Sequence, residues 1–334
     1  MTAAEPKQAD LVLAGGGVKG IGLVGAVAAL LDDGYSVERV SGTSAGSVVG
    51  SVVAAGSTKL TAEEVRDLVL SLEYDRFRDP GPIESIPVLG TSWALLRGTG
   101  LFRGDYAHDW VRSQLANLGV RTFGDLRIGD PDLREERRYK LVVTVTDVTT
   151  GQLVRLPWDY RRVYGLDPDE QPVADAVRAS MSIPFYFRPV ELTSTAGVTS
   201  TLVDGGLLSN FPIDSLDRTD GKPPRRPTFG ITMLPNLPAG NDRVIPQLAP
   251  LRVLGAPHLL ERVITTVLVG RDQAYLNQPW VNARTIRVDS TEVGVLDFDI
   301  TREETDALYA KGYAAAEEFL STWDWPAYRA RFRS

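Results

Sequence analysis

Short apolar runs separated by glycine-rich breaks set the pattern of the N-terminal part of the chain. Asp10 to Ala14 reads as a buried strand that stops at Gly15-Gly16-Gly17. Val18 to Leu31 then predicts a helix, ended by Asp33-Gly34, whose many Gly and Ala residues allow close packing on a sheet. Val37 to Gly42 predicts a second strand, and Ala45 to Ala55 a second helix. This strand–helix–strand–helix order argues for an α/β fold with a mainly parallel central sheet flanked by helices.

The rhythm changes further along. Thr61-Ala62-Glu63-Glu64 is a capping box that opens a helix to about Leu72. Residues 75–104 are irregular, with Pro80, Pro82 and Pro87 punctuating Ile83, Ile86, Val88, Leu89 and Trp93. Two roles fit this apolar insertion: a lid or lipid-contacting loop, and a packed connection. Helical period returns over Tyr106 to Leu118, and Tyr139 to Asp147 and Gln152 to Leu156 predict paired strands turned at Thr150-Gly151. A short helix over Val173 to Ser180 follows, then strands at Arg188 to Leu192, Thr201 to Asp204 and Phe229 to Leu234. Pro235 to Pro250 reads as a linker or long loop, Leu251 to Gln278 as a helix, and Arg284 to Val288 as a strand. A second capping box, Thr301-Arg302-Glu303-Glu304, opens a final helix to about Phe319. The expected organisation is a polar tail over residues 1–8 and one domain over 9–334, with the stretch beyond about 235 as a C-terminal extension or small subdomain.

Composition narrows the function classes. The 334 residues are 43% hydrophobic and 24% charged, enough for an ordinary globular core. A net charge of -7 gives no sign of a nucleic-acid partner. Cysteine is absent, so thiol nucleophiles, thiolate metal sites and disulfides are excluded. The N-terminus lacks a signal-peptide core, and the apolar stretches Ile21 to Leu31 and Val48 to Ala55 are too short to span a bilayer. The expected location is cytoplasmic, with membrane contact peripheral and transient. Arg134, Arg137, Arg138, Lys140, Arg161 and Arg162 form a loose basic cluster with two readings: a face for anionic lipid headgroups, and an ordinary solvated face, as the interleaved Glu135 and Glu136 favour.

Candidate chemistry lies in three places. Gly42-Thr43-Ser44-Ala45-Gly46 is a G-x-S-x-G nucleophile elbow, a sharp strand-to-helix turn with Ser44 at its apex. Gly15, Gly16 and Gly17 form a loop able to aim backbone N–H groups at a developing oxyanion. Asp204-Gly205-Gly206 puts a carboxylate at a strand end. A serine hydroxyl needs a base to take its proton, and partial burial raises a carboxylate's pKa and suits it to that task. Nucleophile, carboxylate and oxyanion loop together point to acyl transfer. The chain has only two histidines, His108 and His258, and neither has local motif support for a Ser-His-Asp triad.

Two other function classes compete. Gly15-x-Gly17-x-x-Gly20 also fits a dinucleotide-binding fingerprint. That fingerprint needs an acidic residue at the tip of the second strand, and here the strand runs into Ser41-Gly42-Thr43-Ser44. A lipid-binding protein without turnover would use the same residues as an esterase. No P-loop, HExxH or His/Asp cluster is present, so neither a cofactor nor a metal is expected.

The chain resembles the patatin-like phospholipases, a family of lipid acyl hydrolases that use a Ser–Asp dyad. The resemblance rests on Gly15 to Gly20, Gly42 to Gly46 and Asp204 to Gly206 in that order, with Arg178-Ala179-Ser180-Met181-Ser182-Ile183-Pro184 before the last. It covers roughly residues 8–235 and becomes diffuse beyond. It implies a three-layer α/β/α fold, with Ser44 as nucleophile, Asp204 as base, and Gly15, Gly16 and Gly17 as oxyanion hole. It also implies a phospholipid or related acyl ester as substrate, cleaved without calcium through an acyl-enzyme. Some members await an activating partner. For this chain that requirement, the headgroup preference and the oligomeric state are left open.

Overall fold

The computed structural model describes residues 7–56, 60–79, 100–233 and 273–332. Most of the apolar insertion, the linker after Met233 and most of the helix expected from Leu251 lie outside the described residues. The strands are β1 (Lys7–Leu13), β2 (Tyr35–Thr43), β3 (Leu141–Asp147), β4 (Gln152–Leu156), β5 (Val190–Thr193), β6 (Thr199–Asp204), β7 (Thr228–Met233) and β8 (Thr285–Val288). The helices before the last strand are α1 (Gly20–Asp32), α2 (Ala45–Gly56), α3 (Ala62–Leu70), α4 (Asp105–Asn117), α5 (Val173–Ser180), α6 (Gln273–Leu276) and α7 (Pro279–Asn282). Two more follow it, α8 (Arg302–Thr322) and α9 (Trp325–Phe332).

The sheet runs β5-β6-β3-β2-β1-β7-β8, with β4 also paired to β3. Pairs β1–β2, β1–β7, β2–β3 and β7–β8 are parallel, whereas β3–β4, β3–β6 and β5–β6 are antiparallel. It is a mixed, mostly parallel sheet flanked by helices, as the alternating pattern predicts.

Small differences from the sequence expectations have local causes. β1 begins at Lys7, inside the expected polar tail, because Lys7 pairs with Tyr35 and its ammonium lies 2.8 Å from Asp33. Gly17–Lys19 is a 3-10 turn, so α1 starts at Gly20 rather than Val18. Both capping boxes form, at Thr61–Glu64 and Thr301–Glu304. Among the described residues the helix at Thr301 is followed by α9, in which Trp325 stacks on Tyr328 and Phe332 meets Tyr328 at a tilt.

Residues Leu13, Val40 and Leu141 share the sheet face that meets α2 at Gly50. On the same face Phe229 packs edge-on against Phe319 of α8, with ring centroids 5.5 Å apart. Val12, Ser41 and Gly230 sit side by side on the opposite face, where Phe211 and Ile213 cover Gly230. Helix α1 is buried from Gly20 to Leu30. It crosses α8 in backbone contact: a Cβ on Gly25 would lie 2.0 Å from the Tyr309 carbonyl oxygen, and one on Gly312 2.0 Å from that of Gly22. No described helix is long and apolar enough to cross a membrane.

One register decides where the site forms. Val143 and Thr144 of β3 pair with Gly42 and Thr43 on one edge and with Leu156 and Arg155 of β4 on the other. Val145, with β4 still on its far edge, pairs instead with Asp204. Thus β2 and β6 share one edge of β3 and meet end to end there. Each runs toward the junction, so the residue after Thr43 and the last residue of β6 are brought together.

Candidate active site

At this junction the chain after β2 turns into α2 through Ser44, whose φ is 51°, a left-handed conformation uncommon for a residue with a side chain. The turn is tight enough that a Cβ on Gly42 would sit 2.4 Å from the Gly46 carbonyl oxygen, and one on Gly46 2.3 Å from that of Leu13. Those clashes explain why small residues flank the elbow. The Ser44 N–H donates to Ser180 Oγ at 2.8 Å, and that hydroxyl in turn donates to the Thr144 carbonyl at 2.7 Å. On the other side Ser47 Oγ donates to the Ser44 carbonyl at 2.6 Å. A strained backbone of this kind persists only where the surroundings hold it, and here three hydrogen bonds do so.

Asp204 ends β6 and is 1% exposed. Its N–H donates to the Ser182 carbonyl at 2.9 Å. Its carboxylate accepts from the Gly206 N–H at 2.7 Å, and the Ser44 hydroxyl beside it also favours the charged form. Burial raises its pKa from 3.8 to about 7, against the opposing pull of those two donors. The backbone beside it is crowded, since a Cβ on Gly205 would lie 2.2 Å from the Thr144 carbonyl oxygen.

The end of α5 and the stretch after it therefore hold both residues, Ser44 through the Ser180 side chain and Asp204 through the Ser182 backbone. Arg178 fixes this stretch. Its buried guanidinium donates to Ser182 Oγ at 2.7 Å, to the Arg188 carbonyl at 3.0 Å and to the Arg103 carbonyl. Burial lowers its pKa, with Asp79 and Asp105 opposing.

The glycine loop packs against the elbow, a Cβ on Gly15 falling 3.1 Å from Ser44 Cβ. Its amides are not equivalent. The Gly15 N–H donates to the Asn210 carbonyl and the Asn210 side-chain amide donates back to the Gly15 carbonyl, both at 3.2 Å. Gly15 is thus a fixed hinge, which corrects the expectation of three free donors. The Gly16 and Gly17 N–H groups have no acceptor among the described residues. The Ala45 N–H, in the first turn of α2, has none within its helix. The Val18 N–H, where a dinucleotide pyrophosphate would be received, is taken by the Val295 carbonyl at 3.1 Å.

Other candidates fall elsewhere. Lys19 is buried, which lowers its pKa to about 8 against the pull of Asp297 and Asp289. His108 Nε2 lies 2.7 Å from Asp175, away from Asp204, and His258 lies outside the described residues. In the basic cluster Arg161 and Arg162 pair with Asp167 and Asp159, and Arg137 lies 4.8 Å over the Trp158 ring.

Ser44 opens into an apolar slot of about 40 Å³ whose walls include Val49, Leu72, Phe77, Met181, Phe187 and Phe298. The site thus sets the Ser44 hydroxyl beside a buried carboxylate at the mouth of an apolar slot. Sequence reasoning missed Ser180, Asn210, Ala45 and Phe298. Ser180 lay within a stretch already singled out, and the residue after an elbow serine is a regular oxyanion donor. Asn210 and Phe298 carry no local signal.

The sequence profile described as Patatin-like phospholipase matches residues 11–217. The chain belongs to the patatin-like phospholipase family. Membership supports lipid hydrolysis as its broad activity. Uncharacterized protein YqhO of Bacillus subtilis is 33% identical over 318 residues, spanning 94% of this chain and 98% of its own. Lysophospholipase NTE1 of Saccharomyces cerevisiae is 29% identical over 62% of this chain, which covers 10% of that protein's length. The crystal structure of VipD from Legionella pneumophila aligns with a TM-score of 0.53 at 20% identity, covering 96% of this chain and 67% of that one, and so shares the fold.

Proposed function

We propose that the protein is a serine acyl hydrolase of the phospholipase A type, acting on fatty-acyl esters of phospholipids or related lipids. The observation that carries this reading is the meeting, at the junction of β2 and β6, of Ser44 with the buried Asp204 carboxylate, whose pKa near 7 suits a general base at neutral pH. In the proposed cycle Asp204 takes the Ser44 proton as Oγ attacks the ester carbonyl carbon. The resulting oxyanion lies against the Gly16, Gly17 and Ala45 amides. Collapse breaks the ester C–O bond, and the departing alcohol or lyso-lipid receives the proton from Asp204. Asp204 then takes a proton from water, the hydroxide portion adds to the acyl-enzyme, and the fatty acid leaves as Ser44 is reprotonated.

A fluorophosphonate probe tests this reading. The expected result is an adduct on Ser44, located by peptide mass spectrometry and lost in Asp204→Asn, together with hydrolysis of a phospholipid or simple acyl ester that Ser44→Ala abolishes. Substantial ester turnover by folded Asp204→Asn protein would rule out the dyad. Lipid binding without labelling or turnover would favour the non-catalytic alternative.

A further inference from the structure

One side chain from beyond the residues matched by the family separates two spaces. Phe298, on the connection from β8 to α8, is 3% exposed. One side of it walls the apolar slot at Ser44. The other side lines an outer groove of about 420 Å³, shared with Leu70, Leu72, Tyr74 and Ile300. Leu72 and Tyr74 also border both spaces. The barrier between them is therefore thin, and Phe298 is its largest apolar side chain reaching both sides.

The barrier is well held. Phe298 stacks on Phe77 with centroids 5.2 Å apart and on Tyr186 at 5.5 Å, and meets Phe187 edge-on at 6.2 Å. The next residue, Asp299, makes a two-pronged ion pair with Arg78, at 2.9 and 2.7 Å, tying this connection to the segment that bears Tyr74 and Phe77. The inner slot is narrow and the outer groove roomy, so length is limited at the barrier and not beyond it.

We propose that Phe298 sets the length of acyl chain the site accepts, an inference that rests on the acyl-hydrolase reading of Ser44. With the ring in place the slot receives short acyl groups. Longer chains meet the ring and fit less well, so they are turned over more slowly. Removing the ring joins the slot to the groove floored by Leu70, Leu72 and Ile300, which carries the distal methylenes. Apolar pockets discriminate by roughly 10–200-fold per methylene that does or does not fit, so the effect is large enough to measure.

The experiment compares kcat/KM for p-nitrophenyl butanoate, octanoate and hexadecanoate in the wild type, Phe298→Ala and Phe298→Leu. Binding of the matching free fatty acids is measured on the same proteins, since that readout needs no turnover. The expected result is that wild-type kcat/KM falls with chain length. Phe298→Ala raises the hexadecanoate-to-butanoate ratio by at least roughly ten-fold, and Phe298→Leu shifts it in the same direction by less. Should the alanine variant not fold, the leucine variant decides alone. An unchanged length profile in both the ester and fatty-acid series would overturn the proposal. If no ester is hydrolysed but fatty-acid length preference still moves at Phe298, the hydrolase reading fails and Phe298 stands as the length gate of a binding site.

Discussion

The backbone N–H of Ser44 ends on the side-chain oxygen of Ser180, 2.8 Å away, and not on a main-chain carbonyl. The same oxygen donates to Thr144, so its proton and lone pair are both assigned and its orientation is fixed. Ser180 is a positioning residue: it touches no reacting atom in the proposed cycle but holds the left-handed backbone that presents Oγ. Ser180→Ala leaves a buried N–H and a buried carbonyl unpaired, at a cost of about 1–3 kcal/mol each. The expected outcome is a kcat reduced by roughly 10–100-fold with KM nearly unchanged. Labelling by a fluorophosphonate should slow in parallel, and Ser180→Thr, which restores the hydroxyl, should recover part of the loss. A KM effect equal to the kcat effect would point to general disruption of the fold.

Asp204 gives a pH dependence of definite sign. Only the ionised carboxylate can take the Ser44 proton, so kcat/KM should rise through about pH 7 and level off above it. A pH–rate profile with a soluble ester checks this.

Stability runs the other way. Burial favours the neutral acid in the folded state, so protein stability contributed by Asp204 is fully present below its ordinary pKa of 3.8 and is lost as pH rises to about 7. Each unit of such a displacement is worth about 1.4 kcal/mol. Asp204→Asn should therefore be inactive, and its melting temperature should gain on the wild type between pH 4 and 7 and hold that lead above. Equal melting temperatures at every pH would show that Asp204 is not ionised at a cost.

The glycine loop offers a third test. Gly17 has φ 56°, and a Cβ there would lie 2.0 Å from the Val295 carbonyl oxygen. Gly17→Ala should displace the loop and lower kcat by at least the roughly 10²–10³-fold typical of a lost oxyanion donor. Circular dichroism should remain near wild type, because the loop lies outside the sheet. Retention of full activity would remove the Gly17 amide from the proposed site.

Gly312 lines neither the slot nor the elbow and so provides a control. A methyl group there meets the Gly22 carbonyl oxygen across the helix crossing. Gly312→Ala should destabilise by about 1–3 kcal/mol, the usual cost of overpacking, with kcat unchanged at temperatures where the protein is folded. Denaturant titration reads this directly.

Local signals in the chain were strong where backbone geometry restricts residue type. The elbow flanked by Gly42 and Gly46, the Thr61 and Thr301 capping boxes and the helix over Val173 to Ser180 were all legible, because each needs particular residues at fixed offsets. The meeting of Ser44 and Asp204 on one edge of β3 was not readable from spacing. It depends on β6 continuing where β2 stops, a matter of register between segments far apart in sequence. Phe298 and Asn210 were invisible for a related reason: an aromatic in a loop and an asparagine after a turn have many ordinary uses, and only their neighbours in space distinguish them. The inequality of Gly15 and its two neighbours is likewise a consequence of Asn210. Helix α9 escaped because its single buried residue, Tyr328, gives no helical period to detect.

The crossing of α1 and α8 also has a consequence for the order of events in synthesis. Helix α1 is apolar on every side, and one of those sides packs against α8, which includes Gly312 and lies far along the chain from α1. During synthesis α1 leaves the ribosome long before the helix that covers this side. Removal of α8 would leave an apolar face of α1 open to water and to other exposed apolar chains.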